Sequence, residues 1–485
     1  MKKLISSVQN NKWIILILIV ATVLRLYNID YQSLWMDEIY TLNVASQKHS
    51  FSQIITEVNL RESFPYLYFF IMNTMFTLFG DTSIVARIPS VIFGIAAVWM
   101  MYKLGKETYS KKVGLIAALL FTFNEYAIFH SQDARAYSLY LLCLLFSFYR
   151  LVIFLKNNSQ KNMVWFGVSA GLLLNANFFS VINVTNQGFI LLFVLFSLDK
   201  SERLAYFKRL LIIAGIILLF FIPNLYKFYL VTQFKSSWIP APTNEGLTNI
   251  LKEFISVSEI LVFIYGILFT FFIIKVFNQK RTQDIKEIIS KKLVFNYLLI
   301  FSWISFVVAV ILLKSYLSSS LYVSRYFISV FPPIILAISI ALVSIKNNQI
   351  RTSFLSLLMF FMVFDLVVVK KYYHTPLKAQ FREASDMVKF YNPNKDVVYT
   401  SLKYWYDYFL NNHGQKFEVV DKPNLSVLVK EMKANPSLIK SFWVVDGYQD
   451  VLKLSDDDQQ FLDTHFRLQE TYDGLGAIAR HYIKK

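Results

Sequence analysis

Up to about residue 374, long apolar stretches alternate with short polar connections. Apolar runs lie at about 13–27, 84–104, 113–129, 137–155, 164–177, 180–197, 209–230, 257–277, 293–313, 326–345 and 352–371. A bilayer core takes about 20 apolar residues per helix, and backbone groups in lipid must be hydrogen-bonded within the segment itself. The pattern therefore predicts eleven membrane-spanning helices. A twelfth run, Phe64–Phe79, is shorter and is interrupted by Asn73.

From Thr375 the pattern changes. Short alternating runs at Asp396–Thr400, Phe417–Val420, Phe442–Val445 and Ile478–Ile483 read as strands. Segments near Phe381–Tyr391 and Asn424–Ala434 read as helices. Residues 375–485 are long enough to bury a core of their own, so a small α/β domain is expected. The expected fold class is a polytopic all-α membrane protein with a small C-terminal α/β extracytoplasmic domain. Residues 1–374 form its membrane module, with a first outer loop at 28–83.

Charge fixes the expected orientation. If Phe64–Phe79 does not cross and the N-terminus is cytoplasmic, roughly 21 Lys and Arg fall in inner loops against roughly 8 in outer ones. If that run crosses, the bias inverts. It is therefore expected to lie in the outer interface, which places the C-terminal domain outside the cell. The first run follows Lys2, Lys3 and Lys12 and is not followed by a small-residue cleavage site, so it reads as an uncleaved span.

Composition sharpens this. Of 485 residues, 55% are hydrophobic and only 17% charged, too apolar for one soluble domain. The net charge of +17 does not indicate nucleic acid. Its cations are spread over the connections, where they orient spans and meet anionic lipid heads, rather than gathered in one soluble patch. Cys143, the single cysteine, lies in an apolar run, which excludes a disulfide framework and a thiolate metal cluster.

Polar groups beside spans are costly without partners, and four places stand out. Asp37 and Glu38 follow Trp35 just after the first span. They could favour a helix macrodipole, or supply a general base. Glu62 precedes Pro65 at the opening of the interfacial run, either as a simple terminal charge or as a site acid. Between the third and fourth spans, His130–Tyr137 carries Asp133 and Arg135, a capping salt bridge or part of a site. Tyr322 and Arg325 lead into the tenth span. Arg325 could bind a phosphate through its fork, or snorkel. With Arg87, these residues would place acids and cations around one outer rim: acids for an acceptor hydroxyl, cations for a phosphate.

In order and spacing these segments resemble the GT-C glycosyltransferases, specifically the protein O-mannosyltransferase-like branch that includes the lipid A aminoarabinose transferases. The resemblance covers the first 150 residues, thins through the middle, and returns at Tyr322–Pro333 and in the outer domain. Leu34–Glu38 is similar to the family's first-loop acidic motif. Glu62–Tyr68 resembles an acid-x-His-Pro-Pro-Leu-Tyr segment, with Phe64 and Tyr66 in place of the His and the second Pro. Ala86–Ser90, Ser131–Tyr137 and Arg325-Tyr326 followed by Pro332-Pro333 are close to family patterns.

The resemblance implies a bacterial inner-membrane enzyme that transfers a sugar from a polyprenyl-phosphate donor to a lipid, glycan or protein acceptor, with inversion. Asp37 would be the base, with Glu38 and Asp133 as further catalytic groups. Glu62, Arg87, Arg135, Tyr137, Tyr322 and Arg325 would bind substrate. No cofactor is assigned. Phe64 replaces a His near Glu62, so no metal is placed there, although a divalent metal stays open. Ser63 stands where the aminoarabinose branch has Lys, which argues against that sugar. The rival classes are a transporter or flippase of lipid-linked glycans and an inactive scaffold of the same fold.

Overall fold

The computed structural model describes residues 2–233, 239, 241–243, 245–256, 258–279, 284–411, 416–438 and 440–485, with side chains from Asn11 onward. The chain divides into two compact units. One comprises the residues up to Tyr27 together with Val44–Lys371. The other comprises Asn28–Asn43 and Tyr372–Lys485.

The first unit is helical. Each of the eleven apolar runs folds as helix. Seven helices among the described residues are long and apolar enough to cross a bilayer: Ser83–Thr108, Tyr137–Lys156, Ser180–Ser197, Lys200–Gln233, Glu259–Phe277, Lys292–Leu317 and Asn348–Val369. Lys2–Leu26, Gln160–Ala176 and Phe331–Ser344 occupy three further runs. Every residue from Phe331 to Leu342 is buried, so this helix is apolar all round because protein surrounds it.

The remaining run, 113–129, differs from expectation. It is a pair, Lys111–Phe123 and Glu125–Ser131, bent by 66°. Asn124 makes the break. Its backbone is extended, its side-chain oxygen accepts from Ala127 N–H at 3.0 Å, and its amide donates to Phe254 O at 2.7 Å. An N-cap that satisfies its own helix and a neighbouring carbonyl ends one helix and starts the next. The hairpin before it is pressed close. A Cβ on Gly105 would sit 2.9 Å from the Gly114 Cα, so only glycine permits this approach.

Between the first span and Ser83 lie short helices. Phe51–Arg61 opens with a full capping box between Ser50 and Gln53. Leu67–Phe79 begins two residues after Pro65 and has 13 residues. At 1.5 Å per residue it is about 20 Å long, short of a hydrocarbon core of about 30 Å. Asn73, which interrupts its apolar run, is buried and donates to Ser46 O at 2.8 Å.

The second unit contains a five-stranded sheet in the order β2-β1-β3-β5-β4. β1 (Val397–Thr400) runs parallel to both β2 (Val419–Asp421) and β3 (Phe442–Asp446). β3 pairs antiparallel with β5 (Ala477–Lys484), which forms a hairpin with β4 (Phe466–Gly474). The helices Phe381–Tyr391 and Leu425–Ala434 lie where the sequence predicts them, the latter capped by Asn424. Leu428, Val429, Met432, Phe442, Val444 and Leu462 belong to its core.

The segment Asn28–Asn43 is tied into this unit by a run of backbone-directed bonds. Gln32 donates to Thr375 O at 2.9 Å and accepts from Leu377 N–H at 2.8 Å. The guanidinium of Arg382 donates to Asp30 O at 2.9 Å and Tyr31 O at 2.8 Å, while its own N–H donates to Ser33 Oγ at 3.1 Å.

Candidate active site

In the second unit, Asp37 and Glu38 occupy the first turn of the helix Met36–Val44. The adjacent acids have different surroundings. Glu38 is fully buried and pairs with Lys378 Nζ at 3.0 Å, with side-chain exposures of 0% and 3%. It also accepts from Trp35 N–H at 3.4 Å, as a helix-start carboxylate does. Asp37 is only half-buried. One acid is thus buried in an internal ion pair, and its neighbour is partly exposed. Tyr40, one turn on, packs against Tyr404 and Trp405 with ring centroids 5.1 and 5.7 Å away.

In the first unit, Glu62 is not a charge at the start of the following helix. It is the extended C-cap residue of Phe51–Arg61, its N–H bonded to Val58 O. Its carboxylate accepts from both terminal nitrogens of Arg135, at 2.7 and 2.9 Å, a buried bidentate pair. Phe64 lies under this pair: the Arg135 guanidinium sits 4.8 Å from its ring centroid. The residue that replaces the family's His therefore serves as an aromatic seat for the cation. A divalent metal does not fit at Glu62, since the guanidinium fork holds both its oxygens. Among the described residues no group of three or more His, Cys, Asp or Glu is placed to hold a metal ion.

The turn that carries Arg135 is built on side-chain support. Ser90 donates to Arg135 O at 3.3 Å and lies 3.3 Å from the Tyr68 hydroxyl. Arg87, one turn before Ser90 in the helix Ser83–Thr108, is fully buried. Asp133 is also fully buried, and its carbonyl accepts from Arg135 N–H at 2.8 Å. Tyr137 packs against Phe64 at 5.7 Å and against His130 at 4.8 Å. His130 in turn meets Tyr126 at 4.5 Å, and the Tyr126 hydroxyl donates to Ser324 O at 3.3 Å. Tyr126 thus links the His130–Tyr137 turn to the turn of Arg325. Arg325 itself is half-buried, its guanidinium 5.9 Å from the Tyr326 ring. Tyr322 is buried with its ring against Phe327.

The first unit accordingly gathers Glu62, Asp133, Arg135 and Tyr137 into one cluster and links Tyr322–Arg325 to it by way of Tyr126. Three buried cations, two in the first unit and one in the second, were not singled out from the sequence. Lys227 is buried and donates to Val58 O at 2.8 Å, beside Glu62. Arg25 is buried in the first helix and donates to Ser131 Oγ at 3.1 Å. Lys378, described above, is the third. Arg25 was legible as a charge inside an apolar run; the other two meet partners distant in sequence. The sequence also offers the loop Tyr226–Ser256, with its Trp238-Ile-Pro240-Ala-Pro242 stretch, as a shaper of an acceptor groove; Trp238 and Pro240 lie outside the described residues.

Residues 63–226 match the family model described as dolichyl-phosphate-mannose-protein mannosyltransferase. This stretch includes Arg87, Asp133, Arg135 and Tyr137 but not Asp37, Glu38, Glu62, Tyr322 or Arg325. No curated protein matches significantly. Among solved structures the chain is similar to ArnT from Cupriavidus metallidurans in the apo state, with a TM-score of 0.58 at 11% identity, over 98% of each chain. The same protein bound to undecaprenyl phosphate gives 0.56 at 10% identity, over 97% of this chain and 98% of that one. The archaeal oligosaccharyltransferase AglB from Archaeoglobus fulgidus, in complex with an inhibitory peptide and a dolichol-phosphate, gives 0.54 at 10% identity, over 99% of this chain and 74% of that one. The chain is a multi-pass membrane protein with the GT-C glycosyltransferase fold, and its residues 63–226 carry the mannosyltransferase family pattern.

Proposed function

We propose that this protein is an integral-membrane glycosyltransferase that moves a sugar from a polyprenyl-phosphate donor to an acceptor on the outer face of a bacterial inner membrane. The observation that carries this reading is the end-to-end likeness to a protein holding undecaprenyl phosphate, combined with a buried cluster of acids and arginines. A buried ionic cluster costs stability unless it is fully paired, so its retention in an apolar bundle favours a functional role.

The chemistry is a single displacement. The acceptor hydroxyl oxygen attacks the anomeric carbon, the bond from that carbon to the phosphate oxygen breaks, and the configuration inverts. Asp37 takes the hydroxyl proton, and the polyprenyl phosphate leaves with the bonding electron pair. Arg325 neutralises charge as it develops on that phosphate, which is usually the largest contribution in such steps. Arg135 is committed to Glu62, so its role is to hold this carboxylate and the Ser131–Tyr137 turn in place. Glu38 and Lys378 fix the first turn of the helix that carries Asp37. Residues 375–485 serve as the extracytoplasmic module, and the N-terminus is cytoplasmic.

The test is transfer by the purified protein in nanodiscs, supplied with polyprenyl-phosphate hexose and pentose donors and a membrane extract as acceptor source. Donor-dependent labelling of a lipid, glycan or protein, with release of polyprenyl phosphate, supports the reading. Movement of an intact lipid-linked glycan across the bilayer without cleavage of any donor would replace it with a transporter.

A further inference from the structure

The second unit contains a polar cavity of about 520 Å³ that the transfer chemistry does not use. It is lined by Asn43, Lys403, Tyr404, Asp407, Tyr408 and Asp421. Four of these come from one helix, Lys403–Asn411, where the spacings 403/407 and 404/408 put charge beside charge and ring beside ring on one face. Asp421 ends β2 and Asn43 ends the inserted segment. The volume lies in the range of small-ligand sites.

The lining is arranged for recognition. The Tyr404 ring is held in place by Tyr40 at 5.1 Å and Trp405 at 5.8 Å, which makes it a fixed platform. Asn411 donates to one oxygen of Asp407 at 2.7 Å and so orients that carboxylate. Among the described residues, the side chains of Asn43, Lys403 and Asp421 have no hydrogen-bond or ion-pair partner, so their capacity is available to a ligand. Of the three charged groups, two are acids and one is a lysine, which disfavours a phosphate or any other strongly anionic ligand. An apolar ligand would leave the carboxylates and the amide desolvated and unbonded.

Sugars meet both demands. Their C–H faces lie against tyrosine rings, and their paired hydroxyls donate to carboxylates and exchange bonds with an amide and an ammonium. We propose that this cavity is a carbohydrate-binding subsite, seating a neutral or amino-sugar unit of the acceptor. Its assignment to the acceptor rests on the transferase reading; sugar binding itself does not.

The experiment uses the full chain in nanodiscs with no donor present. Chitobiose, maltotriose and glucosamine are titrated by saturation-transfer-difference NMR, with inorganic phosphate as competitor, on the native protein and on Asp407→Ala and Asp421→Ala. Asp421 is exposed at a strand end, so that variant keeps the test sound if loss of the Asp407–Asn411 bond disturbs the helix. The expected result is saturable binding of at least one saccharide, unaffected by phosphate and weakened about tenfold in each variant, as for loss of one hydrogen bond to a charged group. No binding of any of the three sugars, equal binding by the variants, or displacement by phosphate would overturn the proposal. Sugar binding without donor-dependent transfer would refute the transferase reading and leave the subsite standing.

Discussion

Replacing Lys378 with methionine isolates the device that separates the roles of Asp37 and Glu38. Lys378 and Glu38 are 3.0 Å apart and almost wholly inaccessible. Methionine keeps much of the lysine stem but removes the charge, leaving the buried Glu38 carboxylate without the ammonium 3.0 Å away. Removing one partner of a buried ion pair costs about 3 to 5 kcal/mol. For a unit of this size that lowers the unfolding midpoint on the order of 10 °C. The sign of the pH response follows from Glu38. Burial without a cation raises the pKa of this acid in the folded state above its unfolded value of about 4.3. The deficit is therefore small below about pH 4 and grows as pH rises. Adding Glu38→Gln to Lys378→Met removes both charges of the pair and recovers most of the loss. Calorimetry of the full chain in detergent at several pH values, on the single and double variants, reads all of this. An unchanged midpoint in Lys378→Met, or a double variant as unstable as the single one, would refute the positioning role of the pair.

Arg325→Ala is expected to weaken donor binding as well as turnover, because a cation on the phosphate acts on both ground and transition states; unchanged donor affinity would move that role elsewhere. The hydrogen bond from Lys433 at 2.6 Å holds the Asp458 carboxyl below its ordinary value. Its contribution to the stability of the second unit is present above the unfolded Asp value of about 3.9 and is lost as pH falls through the folded value. Lys433→Met should therefore flatten the acid limb of a stability–pH curve, and an unaltered limb would refute this. A reporter fused after Ser110 should read as cytoplasmic and one fused at Lys485 as external; the opposite pattern would mean that Leu67–Phe79 crosses the membrane.

Much of the architecture was legible because it rests on local physics. Apolar runs of spanning length became helices, and the alternating runs at Asp396–Thr400 and Phe442–Val445 became strands β1 and β3. β4 was missed because it is an edge strand whose residues are mostly exposed, so Phe466–Gly474 lacks the apolar alternation that marks a half-buried strand. The break at Asn124 was missed because one polar residue does not interrupt a hydropathy run, although asparagine is a ready N-cap. The helix Asp456–His465 was also missed, although Ser455 and three successive aspartates form a cap with acids in the first turn. At the candidate site, residue types were legible and partners were not. The Lys378–Glu38 and Arg135–Glu62 pairs join residues far apart in the chain, beyond the reach of periodicity or capping rules. Phe64 read as the loss of a ligand, and only its place beneath Arg135 reveals what the ring does there.

Transfer by Asp37→Asn asks whether this carboxylate accepts the proton of the acceptor hydroxyl. Asparagine keeps the shape and hydrogen-bonding reach of the side chain but cannot accept a proton, and a general base typically contributes ~10² to 10⁴ in rate. With a polyprenyl-phosphate sugar as donor, Asp37→Asn should lose that factor in turnover while donor binding stays within a few-fold of the native protein. Native turnover in Asp37→Asn would exclude this carboxylate as the base and with it the proposed transfer mechanism.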